Sequence, residues 1–516
     1  MTMKKIIFIA ISALTALLVS CDMEKLPYSA IEESIAVQTM DDAANLRVSI
    51  YSPTKSMFGG ARWDIEEMRG GLFNAKADFG NYYGLFYAWI MKSGDNDVSG
   101  PWYADYSIIA SMNFAIGAFE KLQAAGNLSK KDKETLDLYI AEAYMTRVMA
   151  YWDLVTKYCV AYNPDATDPK YLPEKAYGLP LVDEYAPTAD RSKYPGRSTL
   201  EETYQFILND LDKASAITTE GKANSKYWTI DAVNAMRARV LLNMKNYEEA
   251  EYIALELINS GNYELASDKT AMANMWGADS SKELLFVSAG SYNDQPTSTG
   301  SYYIYDNSSG DGSTPNPQYI PSKTLVEYYG ATAEDRKKDR RYEVYFQTRP
   351  INVEGVAKAD VEVFFKYVGN PVYRAKEDQI NYRSAGKPFR IAEMYLTLAE
   401  CYAGLTDYGN AAKWLNALRD TRIEKNTPLP GTAAIMTSIK EEWTREFVGE
   451  GFRMINVKRW NDGVKRGVSQ NPKMTKSGDE YDGLQTEAYH TCAIWPIPKE
   501  EIDANPQIKN QQNEGY

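Results

Sequence analysis

Apolar and small residues recur at helical spacing along most of the chain, and one stretch shows the pattern twice in succession. In PFRIAEMYLTLAECYAGLTDYGNAAKWLNALRDTR, residues 388 to 422, they fall at Ile391, Tyr395, Leu398, Ala399, Tyr402 and Leu405, then at Ala411, Leu415 and Leu418. The short turn Gly404 to Gly409 separates the runs, so the pattern predicts two antiparallel helices with small residues where they touch. The chain carries a second copy. In NAMRARVLLNMKNYEEAEYIALELI, Ala238, Leu241, Tyr247 and Ala250 repeat the offsets of Ala399, Tyr402, Tyr408 and Ala411, with spacings of 3, 6 and 3 in both.

Recurrence at fixed offsets is the mark of a repeat protein, and this set resembles the tetratricopeptide helix hairpin. The remaining patterns fit such a scaffold. A helix is predicted from Met40 to Ser56, another from about 102 to 124, and a third from Lys131 to about Tyr158 with Leu136, Ile140, Ala143, Tyr151 and Leu154 on one stripe. Ser198 followed by Glu201 reads as a capping box opening the helix STLEETYQFILNDLDKA. Glycines at 59, 60, 70, 71, 80 and 84 predict a loop-rich stretch up to Pro101. Residues 262 to 380 change character: Gly, Ser, Asn and Pro concentrate between Ser288 and Ser322, and short β-rich runs, ELLFVSA and VEVFFKYV, replace the long amphipathic ones. The expected fold is mainly α, a tetratricopeptide-like helical hairpin scaffold with a loop-rich insertion containing short strands.

Three further segments carry a resemblance to a family. FRIAEMYLTLAECYA (389 to 403), EEWTREFVGEGFR with VKRW (441 to 460) and the terminal WPIPKEEIDANPQIKNQQNEGY (495 to 516) resemble, in order and in distance from the chain end, the SusD/RagB family of surface lipoproteins. Asn456 stands where that family usually has Asp, and Glu514 where it has Pro. The resemblance implies an outer-membrane nutrient-binding lipoprotein that captures oligosaccharide, or another nutrient, and delivers it to a TonB-dependent transporter barrel of the SusC type. It implies binding without catalysis, no cofactor, and a C-terminal region that stabilises the scaffold and does not touch ligand.

The N-terminus agrees with export. Lys4 and Lys5 precede a run of mostly apolar residues too short to span a bilayer comfortably, which reads as a secretory signal over residues 1 to 20. Leu18-Val19-Ser20-Cys21 resembles a bacterial lipobox, in which Cys21 receives a lipid and becomes the new N-terminus. Residues 21 to 38 would be the lipidated tether and 39 to 516 one domain, with its insertion at about 262 to 380. The expected location is the cell outer membrane, lipid-anchored and surface-exposed.

Composition narrows the chemistry. A net charge of −13 repels phosphate-rich polymers, so nucleic acid is not an expected partner. Only one histidine, His490, is present, which rules out the HExxH arrangement and His-rich zinc sites. Cys159, Cys401 and Cys492 are far apart and read as small buried hydrophobes, with at most one bridge among them. GDGSTP lacks the Lys and spacing of a phosphate loop. Glu446 and Glu450, four apart on one helical face, have the minimum equipment of a glycosidase, but neighbouring Arg445 and Arg453 favour a structural ion-pair network. Asp335, Asp339, Arg340 and Arg341 read as a solvated helix end or an interhelical pairing.

The most informative excess is tyrosine, 39 against 15 phenylalanines. A ring with an apolar face and a wet hydroxyl suits sugars, which present C–H faces and hydroxyl edges. Phe79, Tyr82, Tyr83, Phe86, Tyr87 and Trp89 crowd the glycine-broken loop, and Tyr292, Tyr302, Tyr303 and Tyr305 lie with Trp276 in the insertion. Aromatics on irregular backbone are expected at the surface, and long loops in a compact protein are usually functional. The expected ligand site is therefore Trp89, Tyr82, Tyr83, Phe86, Tyr87, Tyr292, Tyr302 and Tyr303, with Trp89 as the main anchor and Trp102 assigned to packing. Two rival functions remain: a carboxylate-pair glycoside hydrolase and a peptide-binding tetratricopeptide adaptor.

Overall fold

The structure is a computed structural model that describes residues 37–288, 290–305, 313–376, 378–478, 485–486 and 493–516. The predicted leader, Cys21, His490 and Cys492 lie outside the described residues.

The long helices are α1 (Met40–Tyr51), α2 (Ala61–Arg69), α3 (Asn96–Ala124), α4 (Lys130–Tyr158), α5 (Leu200–Ala214), α6 (Ile230–Asn243), α7 (Tyr247–Asn259), α8 (Lys269–Gly277), α9 (Ile391–Gly404), α10 (Tyr408–Arg422) and α11 (Ile435–Phe447). Helices α3 through α7 pack each on the next, α7 packs directly on α9, and α9 on α10 and α11. The two repeat copies found in the sequence are thus neighbours in one stack, although over a hundred residues separate them. Their seam shows why small residues recur: a Cβ on Gly404 would lie 2.5 Å from the ring of Tyr247, so only glycine admits that tyrosine. Ala238, Leu241, Ala250, Ala399 and Ala411 are all buried along it. Cys159 and Cys401 are buried free thiols, as small hydrophobes would be.

Several boundaries differ from the sequence reading. The glycines at 59, 60, 70 and 71 bracket a helix and do not abolish it. Gly60 caps α2 with φ of 61° and Gly71 follows its end with φ of 82°, conformations that cost a non-glycine residue strain. Helix α3 starts at Asn96, ahead of Pro101, because a proline in the second turn removes only the bond to the Asp97 carbonyl. The capping box is shifted by one. Thr199 accepts from Glu202 N at 3.1 Å and donates its own N–H to Glu202 Oε2 at 2.8 Å. Strand β3 (Arg197–Thr199), paired antiparallel with β2 (Tyr177–Pro180), holds the backbone extended up to that residue, so Ser198 cannot serve as the cap.

The insertion rests on the same stack. Strand β4 (Tyr319–Pro321) pairs antiparallel with β1 (Phe73–Ala75), and β5 (Phe346–Val353) with β6 (Val356–Phe364), as VEVFFKYV led one to expect. ELLFVSA forms no named strand. Leu285 N donates to Phe389 O and Ile391 N to Glu283 O, but Pro388 has no N–H with which to continue a ladder. The β1–β4 pair has the functional consequence: it ties the aromatic loop after β1 to the insertion.

Candidate functional site

The two aromatic loops meet, but with fewer residues facing solvent than the sequence suggested. Tyr302, in the helical turn Ser301–Ile304, lies 5.2 Å from the ring of Tyr83 and 5.9 Å from that of Tyr82, and its hydroxyl donates to the Tyr83 hydroxyl at 3.3 Å. Tyr82 is 54% exposed, while Tyr83 and Tyr302 each keep part of a ring open. Tyr305, 43% exposed, follows on the same turn. The backbone is set for this display. Asn81 and Tyr83 hold φ of 58° and 52°, a left-handed conformation that a bulky residue adopts only under constraint. The Tyr319 hydroxyl donates to the Tyr82 carbonyl and fixes the loop from below.

The other expected anchors are interior. Trp89 is 4% exposed, its indole N–H donating to Arg69 O at 3.1 Å, so it has no face to offer a sugar. Phe86, Tyr87 and Tyr303 are buried too: Phe86 packs on Trp495, Tyr87 on Tyr319 and Arg466, and Tyr303 on Phe73. The expectation of exposure failed because irregular backbone need not be peripheral. Here the β1–β4 pair and the C-terminal segment around Trp495 cover it. Tyr292 is 53% exposed but forms no ring contact with the cluster; its loop lies elsewhere. Trp276 is buried, and so is Trp102, as its helical position implied.

Sequence reasoning missed Asp97. It is exposed in the first turn of α3, and its charge is among the causes that raise the hydroxyl pKa of both Tyr83 and Tyr302, after burial itself. An acceptor beside half-open rings is what a sugar edge needs, yet an Asp at a helix start gives no such indication by itself. A hollow lined by Asp78, Asn81, Leu85, Ile90 and Lys476 adjoins the same loop.

The carboxylate pair has a different setting. Glu446 is fully buried and accepts from Arg390, Arg422 and Arg341, at 2.7 to 3.0 Å. Glu450 accepts from Arg390 and Lys366 at 2.7 to 3.0 Å. The predicted partners are not the real ones: Arg445 pairs with Glu442, and Arg453 donates to the Gly70 carbonyl. Of the two readings of the run at Asp335 to Arg341, Asp339 and Arg341 follow the pairing and not the solvated end: both are buried in the same network, where they pair with each other at 2.6 Å and Arg341 reaches Glu442 and Glu446 of α11. The carboxylate of Glu446 is held well below its ordinary pKa, since three guanidinium groups outweigh its burial. A glycosidase acid needs the opposite shift and an open face.

Comparison with known proteins gives the following. A family model described as "SusD family" matches residues 282–516, and one described as "Starch-binding associating with outer membrane" matches residues 66–242. No curated protein matches the chain. Among solved structures, a SusD superfamily protein from Bacteroides thetaiotaomicron superposes with a TM-score of 0.74 at 24% identity, covering 92% of this chain and 99% of that one. A SusD-like carbohydrate binding protein from Bacteroides vulgatus gives 0.72 at 19%, covering 92% and 98%, and the surface glycan-binding protein A from Bacteroides fluxus gives 0.65 at 19%, covering 93% and 100%. At these identities the likeness concerns the fold.

Proposed function

Because the chain belongs to the SusD/RagB family, we propose that it is a surface glycan-binding lipoprotein that captures oligosaccharide and passes it to a SusC-like TonB-dependent transporter without breaking bonds. The observation that supports the capture step is the open Tyr82–Tyr83–Tyr302 cluster with Asp97 beside it. Each sugar ring has an apolar C–H face that an exposed aromatic ring desolvates, while hydroxyls at its edge find a carboxylate and phenol oxygens. The pre-set backbone reduces what ordering the loop would cost on binding. Affinity at one platform is modest and rises with repeated units on a polymer.

A glycan array on the protein provides a ligand, and the test follows from it. Tyr302→Ala should weaken binding of that ligand by about 2 kcal/mol, roughly thirtyfold in Kd, at unchanged melting temperature. Equal affinity for the parent and both Tyr302→Ala and Tyr82→Ala would move the site away from this cluster. Turnover of the labelled oligosaccharide would favour the hydrolase instead, and preference for extended peptides the adaptor.

Anchoring is read from Cys21. Cys21→Ala should abolish incorporation of labelled fatty acid and shift the protein from the membrane fraction to the soluble one, since acyl chains contribute about 0.8 kcal/mol per buried methylene. Unlabelled parent protein that keeps its N-terminal segment would exclude the lipid.

A further inference from the structure

A second cleft opens between α1 and the loop preceding α6, away from the tyrosine cluster. Its wall is rigid before any ligand arrives. The Arg47 guanidinium lies 4.7 Å from the centre of the Tyr139 ring and 4.4 Å from that of Tyr227, while its N–H groups donate to Glu142 at 2.7 and 2.6 Å. Tyr227 stands edge-on to Tyr51 at 5.3 Å and 89°. Locked between these groups, Tyr227 is nevertheless 48% exposed, and Val48 beside it 68% exposed. The cleft's volume of about 390 Å³ lies within the roughly 300 to 1,000 Å³ of small-molecule sites.

Its charge is selective. Arg47 is neutralised by Glu142, and Lys55 by Asp294. Lys226, next to the open tyrosine, forms no ion pair among the described residues. Lys226 is exposed, and Asp279, the acid whose charge acts on it, is itself paired with Lys387. Tyr292, from the loop that supplies Ser291 and Asp294, is exposed near this rim, which gives that sequence-selected residue a place outside the first site.

We propose that this cleft is a second saccharide subsite, selective for an acidic sugar: the C–H face of a hexuronate rests on Tyr227 and its carboxylate pairs with the Lys226 ammonium. The proposal builds on the glycan-binding reading, and it narrows the ligand to polymers that contain uronate units. An ion pair at this exposed position adds little affinity in absolute terms, so its main effect is discrimination between acidic and neutral sugars.

The test uses the full chain on a Tyr302→Ala background, where the first site is weakened roughly thirtyfold, titrated calorimetrically with hexagalacturonate and with maltohexaose. The acidic probe should bind and the neutral probe bind at least about fivefold more weakly, and Lys226→Met should remove that difference. Tyr227→Ala should weaken the acidic probe about tenfold, whereas Tyr227→Phe, which keeps the ring against Arg47, should leave it unchanged. Acidic-probe affinity that is insensitive to both Lys226→Met and Tyr227→Ala, or absent altogether on this background, overturns the second subsite. If the parent binds an array glycan through Tyr302 in that event, the first reading stands alone. If no array glycan binds the parent at all, the capture reading falls as well.

Discussion

Glu446→Gln should destabilise the protein by about 3 to 5 kcal/mol at pH 7, because it removes the central charge of a buried network and leaves guanidinium groups uncompensated. Both oxygens of Glu446 are fully used: Oε1 accepts from Arg390 and Arg422, Oε2 from Arg341 and Arg422. None of these side chains has measurable exposure. Arg341 and Glu283 belong to the insertion, Arg390 opens α9, Arg422 ends α10 and Glu446 lies in α11, and Glu283 accepts from both Arg390 and Arg422. The network fastens scaffold to insertion alongside the β1–β4 pair and the Leu285–Phe389 backbone bond, so its loss should loosen the insertion's attachment.

The pH dependence has a definite sign. A carboxylate whose folded pKa is depressed contributes stability above its unfolded value near 4.5, and that contribution disappears as pH falls through the folded pKa. Glu446→Gln has no such charge to lose. The gap between parent and variant in urea midpoint should therefore be widest at neutral pH and close well below pH 4.5. A variant as stable as the parent at pH 7 would show that other contacts fasten the insertion. Activity measurements add a second reading, since a hydrolase built on this pair would lose its turnover when either carboxylate became an amide.

That network also marks the limit of what the sequence discloses. Periodicity reports contacts made within a helix and between adjacent ones, so the hairpins, the copied offsets Ala238/Ala399 and Tyr247/Tyr408 and the packing role of Trp102 could be read directly. Glu446 and its partners Arg341 and Arg390 are 105 and 56 residues apart, and no local pattern encodes such a meeting. The same reason explains the aromatic loop. Composition identified Tyr82, Tyr83, Trp89 and their neighbours as unusual, but which rings face water depends on β4 and on Trp495, hundreds of residues downstream. Of eight aromatic candidates, the structure groups Tyr82, Tyr83 and Tyr302, sets Tyr292 apart and buries Phe86, Tyr87, Trp89 and Tyr303. Even the left-handed backbone at Tyr83 and at Trp89 does not separate the two cases, since one displays a ring and the other hides it.

Asp64→Asn should stabilise the protein at alkaline pH and have little effect in acid. Asp64, on α2, is buried and faces no cation among the described residues; Oδ2 accepts from Gly300 N at 3.2 Å and Oδ1 has no partner. Glu67, one turn on, is equally buried. Burial pushes the Asp64 carboxyl up to about 8, against the opposing pull of the Gly300 N–H, with the charge of Glu67 adding to the rise. For a folded pKa raised above the unfolded value of 3.8, the native state keeps a proton that the unfolded chain has lost. Stability from this group is thus complete below pH 4 and drains away as pH rises towards 8, an effect of about 5 kcal/mol across the window. An amide keeps an acceptor for Gly300 and does not ionise. The urea midpoints of parent and variant should coincide near pH 4.5 and diverge steadily to pH 8.5, with the variant higher; parallel curves would mean that Asp64 ionises freely in the folded protein. The site feels the same group, because Gly300 precedes the turn that carries Tyr302, and Tyr303 donates its hydroxyl to the Asp64 carbonyl at 3.2 Å. Ionising Asp64 places an unpaired charge beside Tyr83 and Tyr302 of the proposed platform, so ligand affinity in the parent should fall over the same alkaline range and hold steady in Asp64→Asn.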